Sequence, residues 1–271
     1  MIVSASIPGH RFRRAFPRPK PLIGMIHLSP LPGYPDHPGM PGLVRQALTD
    51  LATLESAGID GVLVENDNDR PHQIGVSASV RDAFTEVMKA VVAAARVPVG
   101  MEIIYDMPQT VAVAHEVGAA FVRLDVFVDT VETRWGVVPA AAEVTTALRR
   151  DLGADDLVFL TDVHVKHARL LAEKSLRQSA AEAVAAGADG LVITGNWTGE
   201  PPAVADCRAA RDSAGGVPIV VGSGLNVDNA AQLFGHADAA IVGTSIKTGQ
   251  DVDPAKAGAL VAVVERMRNH R

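Results

Sequence analysis

Ala57-Gly58-Ile59-Asp60-Gly61-Val62-Leu63-Val64 returns later in the chain as Ala186-Gly187-Ala188-Asp189-Gly190-Leu191-Val192-Ile193. In each copy a Gly-x-Asp-Gly turn runs into an unbroken aliphatic stretch, the mark of a strand buried on both faces. Arg96-Val97-Pro98-Val99-Gly100 is echoed by Gly216-Val217-Pro218-Ile219-Val220. Gly118-Ala119-Ala120-Phe121-Val122 has a looser partner in Ala237-Asp238-Ala239-Ala240-Ile241. The copies lie about half a chain apart, on the second, third and fourth predicted strands and then on the sixth, seventh and eighth. Two similar halves predict an α/β fold of one kind, a closed (β/α)8 TIM barrel, over an open doubly wound sheet.

Working outward, the eight strands read as Leu22–His27, Gly61–Glu65, Val99–Ile104, Phe121–Asp125, Leu157–Asp162, Leu191–Thr194, Ile219–Val221 and Ala240–Val242. Helical periodicity fills the intervals. In the first, Leu43, Ala47, Leu48, Leu51 and Leu54 make one apolar face that ends at Gly58. The Gly-x-Asp-Gly turns precede strands, which puts them on the bottom, structural face, where glycine supplies positive φ and aspartate bonds nearby backbone. The long irregular stretches Ser29–Gly42, Asp67–Ser77 and Phe127–Pro139 follow strands and belong to the catalytic face.

The 271 residues suit one barrel domain, residues 21–271, preceded by a basic arm, residues 1–20. Arg11, Arg13, Arg14, Arg18 and Lys20 make the arm basic, and it is read as solvated. Hydrophobic residues are 48% of the chain and aromatics 4%, so the core is aliphatic. A net charge of −6 argues against nucleic acid as a partner. No apolar run approaches the roughly 20 residues of a membrane span, and no secretory signal follows the basic cluster. The single Cys207 excludes an intrachain disulfide framework, and a cytoplasmic location is expected.

Two consecutive strands run into glycine-hydroxyl turns. Ile219-Val220-Val221 leads into Gly222-Ser223-Gly224, with a helix expected from about Asn226, and Ala240-Ile241-Val242 leads into Gly243-Thr244-Ser245. Backbone N–H groups of such turns, with hydroxyl donors and a helix N-terminus, make a phosphate-binding cup. Loops after the seventh and eighth strands are where many barrels hold phosphate. Thr194 and Gly195 extend the cup from the sixth strand, and Lys247 adds a positive charge. Trp197 either covers a ligand or packs its own loop.

Ionisable residues gather at the other strand ends: His27, Glu65-Asn66, Glu102, Arg123, Asp125 and Asp162. Buried charges are costly unless paired or functional, so a network such as Arg123 with Glu102 or Asp125 is one reading and substrate contact the other. In Asp162-Val163-His164-Val165-Lys166-His167, an extended backbone would put Asp162, His164 and Lys166 on one face, suited to proton transfer with Glu65 or Asp125 opposite. An imine at Lys166 is an alternative. So is a metal held by Glu65, Asp162 and His164 in a metal-dependent hydrolase, although no spacing here matches a dedicated metal motif. His72, His115, His236 and His270 are read as surface or loop residues. Neither a redox motif nor a Walker loop is present, and no cofactor is expected.

Ile23-Gly24-Met25-Ile26-His27-Leu28-Ser29-Pro30-Leu31-Pro32-Gly33 resembles the opening signature of the BtpA family, sometimes grouped with SgcQ-like proteins. Val64-Glu65-Asn66, Asp162 to His167, Thr194 to Gly199, Val221 to Gly224 and Val242 to Ser245 resemble further family blocks. The resemblance implies a phosphate-binding TIM barrel. It takes its name from a role in photosystem I biogenesis in cyanobacteria, while other members look like sugar-operon enzymes. The chain departs from the family pattern at Glu102, Tyr105-Asp106 and Asp125, which adds acids to the mouth and suggests a different substrate. The expectation is an enzyme on a small phosphorylated metabolite, a sugar phosphate or nucleotide-like compound, of lyase, isomerase or glycosyl-transfer type. The rival is a non-catalytic assembly factor for a membrane complex. Self-association stays open.

Overall fold

The computed structural model describes residues 9–269. Part of the basic arm, residues 1–8, and His270 lie outside the described residues.

Eight parallel strands close into a barrel: Leu22–His27, Gly61–Glu65, Val99–Glu102, Phe121–Leu124, Val158–Val163, Gly190–Ile193, Ile219–Val221 and Ala239–Val242. The first strand closes the ring by pairing with the second and the eighth, as Ile23 with Gly61 and Ile23 with Ile241. The helix Met40–Ala57 buries Leu43, Ala47, Leu51 and Leu54 and ends at Gly58 in the left-handed region, φ 88°.

Strand alternation sorts the residues into two shells. Val62, Val64, Val122 and Leu124 join the core between barrel and helices. Ile23, Met25, Leu63, Phe121, Val158, Leu160, Val192, Val220 and Ile241 fill the barrel itself. Continuing the inward series upward by two residues brings His27, Glu65, Arg123, Asp162, Thr194, Gly222 and Gly243 to the mouth. Polarity therefore rises along each strand toward its C-terminal end.

The arm residues that the structure describes pack on the barrel through their apolar side chains, while Arg13, Arg14 and Arg18 stay exposed. The helix His10–Ala15 lies under the barrel, with Phe12 and Phe16 buried in its floor. Their rings stand 5.0 Å apart, and Phe16 meets Phe121 edge-on at 5.4 Å. A Cβ at Gly61 would strike the Phe16 ring, so the second glycine of the first Gly-x-Asp-Gly turn makes room for this plug. The arm's charges are spent on the floor as well: Arg11 pairs with Asp189 at 3.0 Å, and Arg18 with Asp60 at 3.1 Å. Apolar positions between the arginines explain the difference from the expected solvated arm: amphipathic, it has a face to bury.

The stretch Phe127–Pro139 holds two short strands, Val131–Thr133 and Gly136–Val138, which join Ala168–Leu170 in a three-stranded antiparallel sheet above the barrel. The helix after the seventh strand is only Ala230–Leu233 and does not start near Asn226. The Asn226 side chain instead accepts from the Asp228 and Asn229 N–H groups in a turn.

Candidate functional site

A narrow cavity of about 40 Å³ opens at the mouth among His27, Glu65, Arg123, Lys166, Ser223 and Thr244. Two chemically different walls meet there. Strands one to five contribute ionisable groups, and strands six to eight contribute glycines and hydroxyls.

Arg123 organises the first wall. Its Nε and Nη2 donate to the two Asp162 carboxylate oxygens at 2.8 Å each. Its Nη1 stands 3.4 Å from Glu102 and 3.7 Å from Glu65. All four groups are buried, and a bidentate Arg–Asp pair fixes the guanidinium plane. One oxygen each of Glu65, Glu102 and Asp125 is buried with no hydrogen-bond partner among the described residues. Three carboxyl groups thus share one guanidinium, with Asp125 buried nearby, and the four do not all ionise. Burial pushes the Glu65 carboxyl up, but His27, Arg123 and Lys166 more than offset this and bring it to about 2. Burial, with Glu65, Asp125 and Asp162 nearby, holds Glu102 well above the carboxylate range. Burial and Asp162 raise Asp125 to about 7. Desolvation lowers His27, with Lys247 and Lys166 adding to the effect and Glu65 opposing it.

Asp162, His164 and Lys166 do not share a face. His164 has φ 55°, which breaks the extended alternation directly after the strand. Asp162 stays inside on Arg123, whereas His164 turns outward, its Nε2 3.3 Å from Ser179 Oγ on the helix Leu176–Ala185. Lys166 returns to the cavity beside Glu65. The metal trio Glu65, Asp162 and His164 is likewise not assembled, because Asp162 is taken by Arg123 and His164 lies outside. Among the described residues no group of three His, Cys, Asp or Glu side chains is disposed to hold a metal ion. Asn66 is a brace: its amide donates to Asp69 at 3.0 Å and accepts from the Ile104 N–H at 2.9 Å.

The second wall is already engaged by the chain itself. Ser223 Oγ accepts from the Gly195 N–H at 3.0 Å and donates to the Glu200 carbonyl at 2.6 Å. Ser245 Oγ donates to the Leu225 carbonyl at 2.6 Å. A Cβ at Gly222 would strike Val192 and Thr194, and one at Gly224 would strike the backbone of Pro201. Both glycines therefore answer to close packing in the protein, whatever they also do for an anion. Thr194 Oγ1 is buried with no hydrogen-bond partner among the described residues. Thr244 and Gly243 line the cavity. Trp197 is 64% exposed beside His167, ring centroids 5.2 Å apart, so it neither covers the cavity nor joins the core.

Sequence reasoning missed two groups, Asp67 and His72, and did not foresee the burial of a third, Lys247. Asp67 lines the cavity, two residues beyond Glu65, and continuing the period of two past the strand end would have found it. Lys247, read as a charge at the cup, is buried, its Nζ has no hydrogen-bond partner among the described residues, and burial lowers its pKa. His72 is half-buried and meets Tyr105 and Trp135 edge-on at 5.8 and 6.0 Å. These aromatics come from three separate loops, so no local sequence pattern joins them.

The comparisons agree with this architecture. An uncharacterized protein of Pyrococcus furiosus is 36% identical over 253 residues, covering 92% of this chain and 95% of that one. The photosystem I biogenesis protein BtpA of Synechocystis is 32% identical over 265 residues, covering 94% and 92%. Among solved structures, thiamine phosphate pyrophosphorylase of Pyrococcus furiosus is similar with a TM-score of 0.59, at 16% identity over 94% of this chain and 98% of that one, a likeness of fold. With the BtpA family matching residues 18–266, and with the barrel and its mouth built as described, the chain belongs to the BtpA family.

Proposed function

We propose that this protein is an enzyme acting on a small phosphorylated metabolite, a sugar phosphate or nucleotide-like compound, in lyase, isomerase or glycosyl-type chemistry. The observation that carries the reading is the division of one cavity into two walls, ionisable groups on one side and glycine-hydroxyl turns on the other. The turns after the sixth, seventh and eighth strands hold the phosphate, with Lys247 beneath as a desolvated positive charge. His27, Glu65 and Lys166 line the cavity beside them and form the set that moves protons. Glu65 is ionised beside a neutral His27, so a base and a neutral acid–base group lie within one site. Arg123 lines the same cavity and orients Asp162, while Glu102 and Asp125 behind it set the charge it presents. In this reading Asp162 and Asp125 are positioning residues, and His164 has no part in the chemistry.

The name of the Synechocystis relative supports a second reading, a biogenesis factor that uses the barrel as a ligand sensor. Among the described residues no helix is long and apolar enough to cross a membrane.

A thermal-shift screen against phosphorylated sugars and nucleotides tests the cup, with Ser223→Asp as the control. The expected result is a rise in Tm with at least one phosphorylated compound, abolished in the variant by repulsion. No response to any phosphorylated compound would overturn the reading. A turnover assay on the compound so found separates the two readings: Lys166→Ala lowers kcat by about a hundredfold if the protein is an enzyme.

A further inference from the structure

One residue of the chain occupies donors in and beside the cup. Glu200 lies in the loop after the sixth strand and returns to it twice. Its carboxylate accepts from the Asn196 N–H at 3.0 Å and from the Trp197 N–H at 3.1 Å. Its main-chain carbonyl accepts from Ser223 Oγ, which in turn accepts from the Gly195 N–H. Three consecutive N–H groups, at Gly195, Asn196 and Trp197, and the hydroxyl of the neighbouring loop therefore converge on one short region. Successive N–H groups converging in this way form an anion-binding concavity. Here the anion is the protein's own.

The loop is pinned at its other end. His167 Nε2 and Thr198 Oγ1 are 2.8 Å apart, and the His167 N–H donates to the Asn196 carbonyl at 3.2 Å. His167 sits in the left-handed region, φ 61°. Thr198 and Gly199 line the mouth cavity of about 40 Å³. Across the loop lies a groove of about 720 Å³, lined in part by His164, Asn196 and Trp197. Lys166 lines both spaces, so the loop is what stands between them.

A cavity of that size holds a water molecule or two and not a sugar phosphate. A phosphate monoester would find its donors taken, yet it offers more charge and more acceptor oxygens than a single carboxylate. The geometry points to the N–H groups of Asn196 and Trp197 as an anion subsite for the substrate phosphate, with Glu200 as the internal occupant that the phosphate displaces. Resting on the phosphate-cup reading, this adds a residue that sets affinity by competition. Displacement frees the loop, joins the cavity to the groove, and gives the rest of the substrate room beside Lys166.

The test uses the full chain with Trp135→Phe, which leaves Trp197 as the only tryptophan and places the reporter inside the loop. Inorganic phosphate and glucose 6-phosphate are titrated against this protein and against the same protein carrying Glu200→Gln or Glu200→Ala. The expected result is a change in Trp197 emission on phosphate binding, and affinity about tenfold tighter in both Glu200 variants. The unliganded Glu200→Ala protein already shows the emission of the bound state. Equal affinity in all three proteins, or weaker binding in the variants, overturns the displacement while leaving the phosphate cup standing. Failure of every protein to bind either anion, read by thermal shift as well as by emission, overturns the cup and the inference together.

Discussion

Acids lie at both ends of this barrel, and their surroundings could hardly differ more. At the bottom, three aspartates precede the second, sixth and eighth strands, and each ties a backbone N–H to arginine. Asp60 Oδ2 accepts from the Leu22 N–H, Asp189 Oδ2 from the Phe159 N–H, and Asp238 Oδ2 from the Ile219 N–H. Each also pairs with arginine: Asp60 with Arg18 and Arg268, Asp189 with Arg11 and Arg149, and Asp238 with Arg211. At the top, Glu65, Glu102 and Asp125 each keep a buried oxygen with no hydrogen-bond partner among the described residues. A buried polar group left unsatisfied costs stability, so the acids at the bottom brace the fold while those at the mouth are held at a cost. The half-chain repeat thus reports on the bottom, where both halves solve the same problem of tying a turn to its neighbouring strand.

Substitution separates the two ends. The largest effect belongs to Asp189→Ala, which removes the carboxylate from the buried Arg149 and from the Phe159 N–H together. A loss of about 3–5 kcal/mol is expected, or a fall in Tm on the order of 10 °C for a chain this long. Ligand-induced shifts should survive it. If Asp189→Ala proves neutral by thermal unfolding, the bottom network is not structural and the comparison breaks.

Asp125→Asn should act in the opposite sense. An acid raised from its ordinary range to about 7 in the folded state binds its proton more tightly there than when unfolded. Its contribution is fully present below the unfolded pKa of about 4 and is lost as pH rises through 7. Unfolding of the parent measured from pH 4 to 8 should therefore show a decline that Asp125→Asn flattens, leaving the variant a few degrees more stable at pH 8. A steeper decline in the variant would mean that the carboxylate is paired after all.

Smallest is Lys247→Met, which replaces a buried, unpartnered amine by an apolar side chain of similar length. Burial lowers the folded-state pKa of this group, so it weakens the fold most at low pH, and stability recovers as pH rises through that pKa. The variant should gain about 1 kcal/mol near neutral pH and lose part of its response to phosphate. A gain in stability with an unchanged phosphate response would remove Lys247 from the site.

The contrast also explains which parts were legible. Strand positions follow from runs such as Gly61-Val62-Leu63-Val64, because a strand buried on both faces needs an unbroken aliphatic stretch. The candidates His27, Glu65, Arg123 and Lys166 were visible as charges at strand ends, and the structure brings them to one cavity. The Asp162-His164-Lys166 face was not legible correctly, since period-two reasoning assumes extended backbone and His164 adopts φ 55°. The floor plug was missed because Phe12 and Phe16 stand among arginines whose acidic partners, Asp60 and Asp189, lie far along the chain.

Sequence by itself determined the barrel, its two similar halves and the polarity that grows toward its mouth, because periodicity and turn chemistry are local and repeat with each unit. Tertiary structure alone decided how the charges are shared. Which acid Arg123 satisfies depends on distances between strands. That Gly224 lies under Pro201, and that Ser223 is held by Glu200, depends on one loop folding over another. Hydrogen bonding and desolvation act through space at a few ångströms, so the same residue types become a brace at one end of the barrel and a crowded charge cluster at the other.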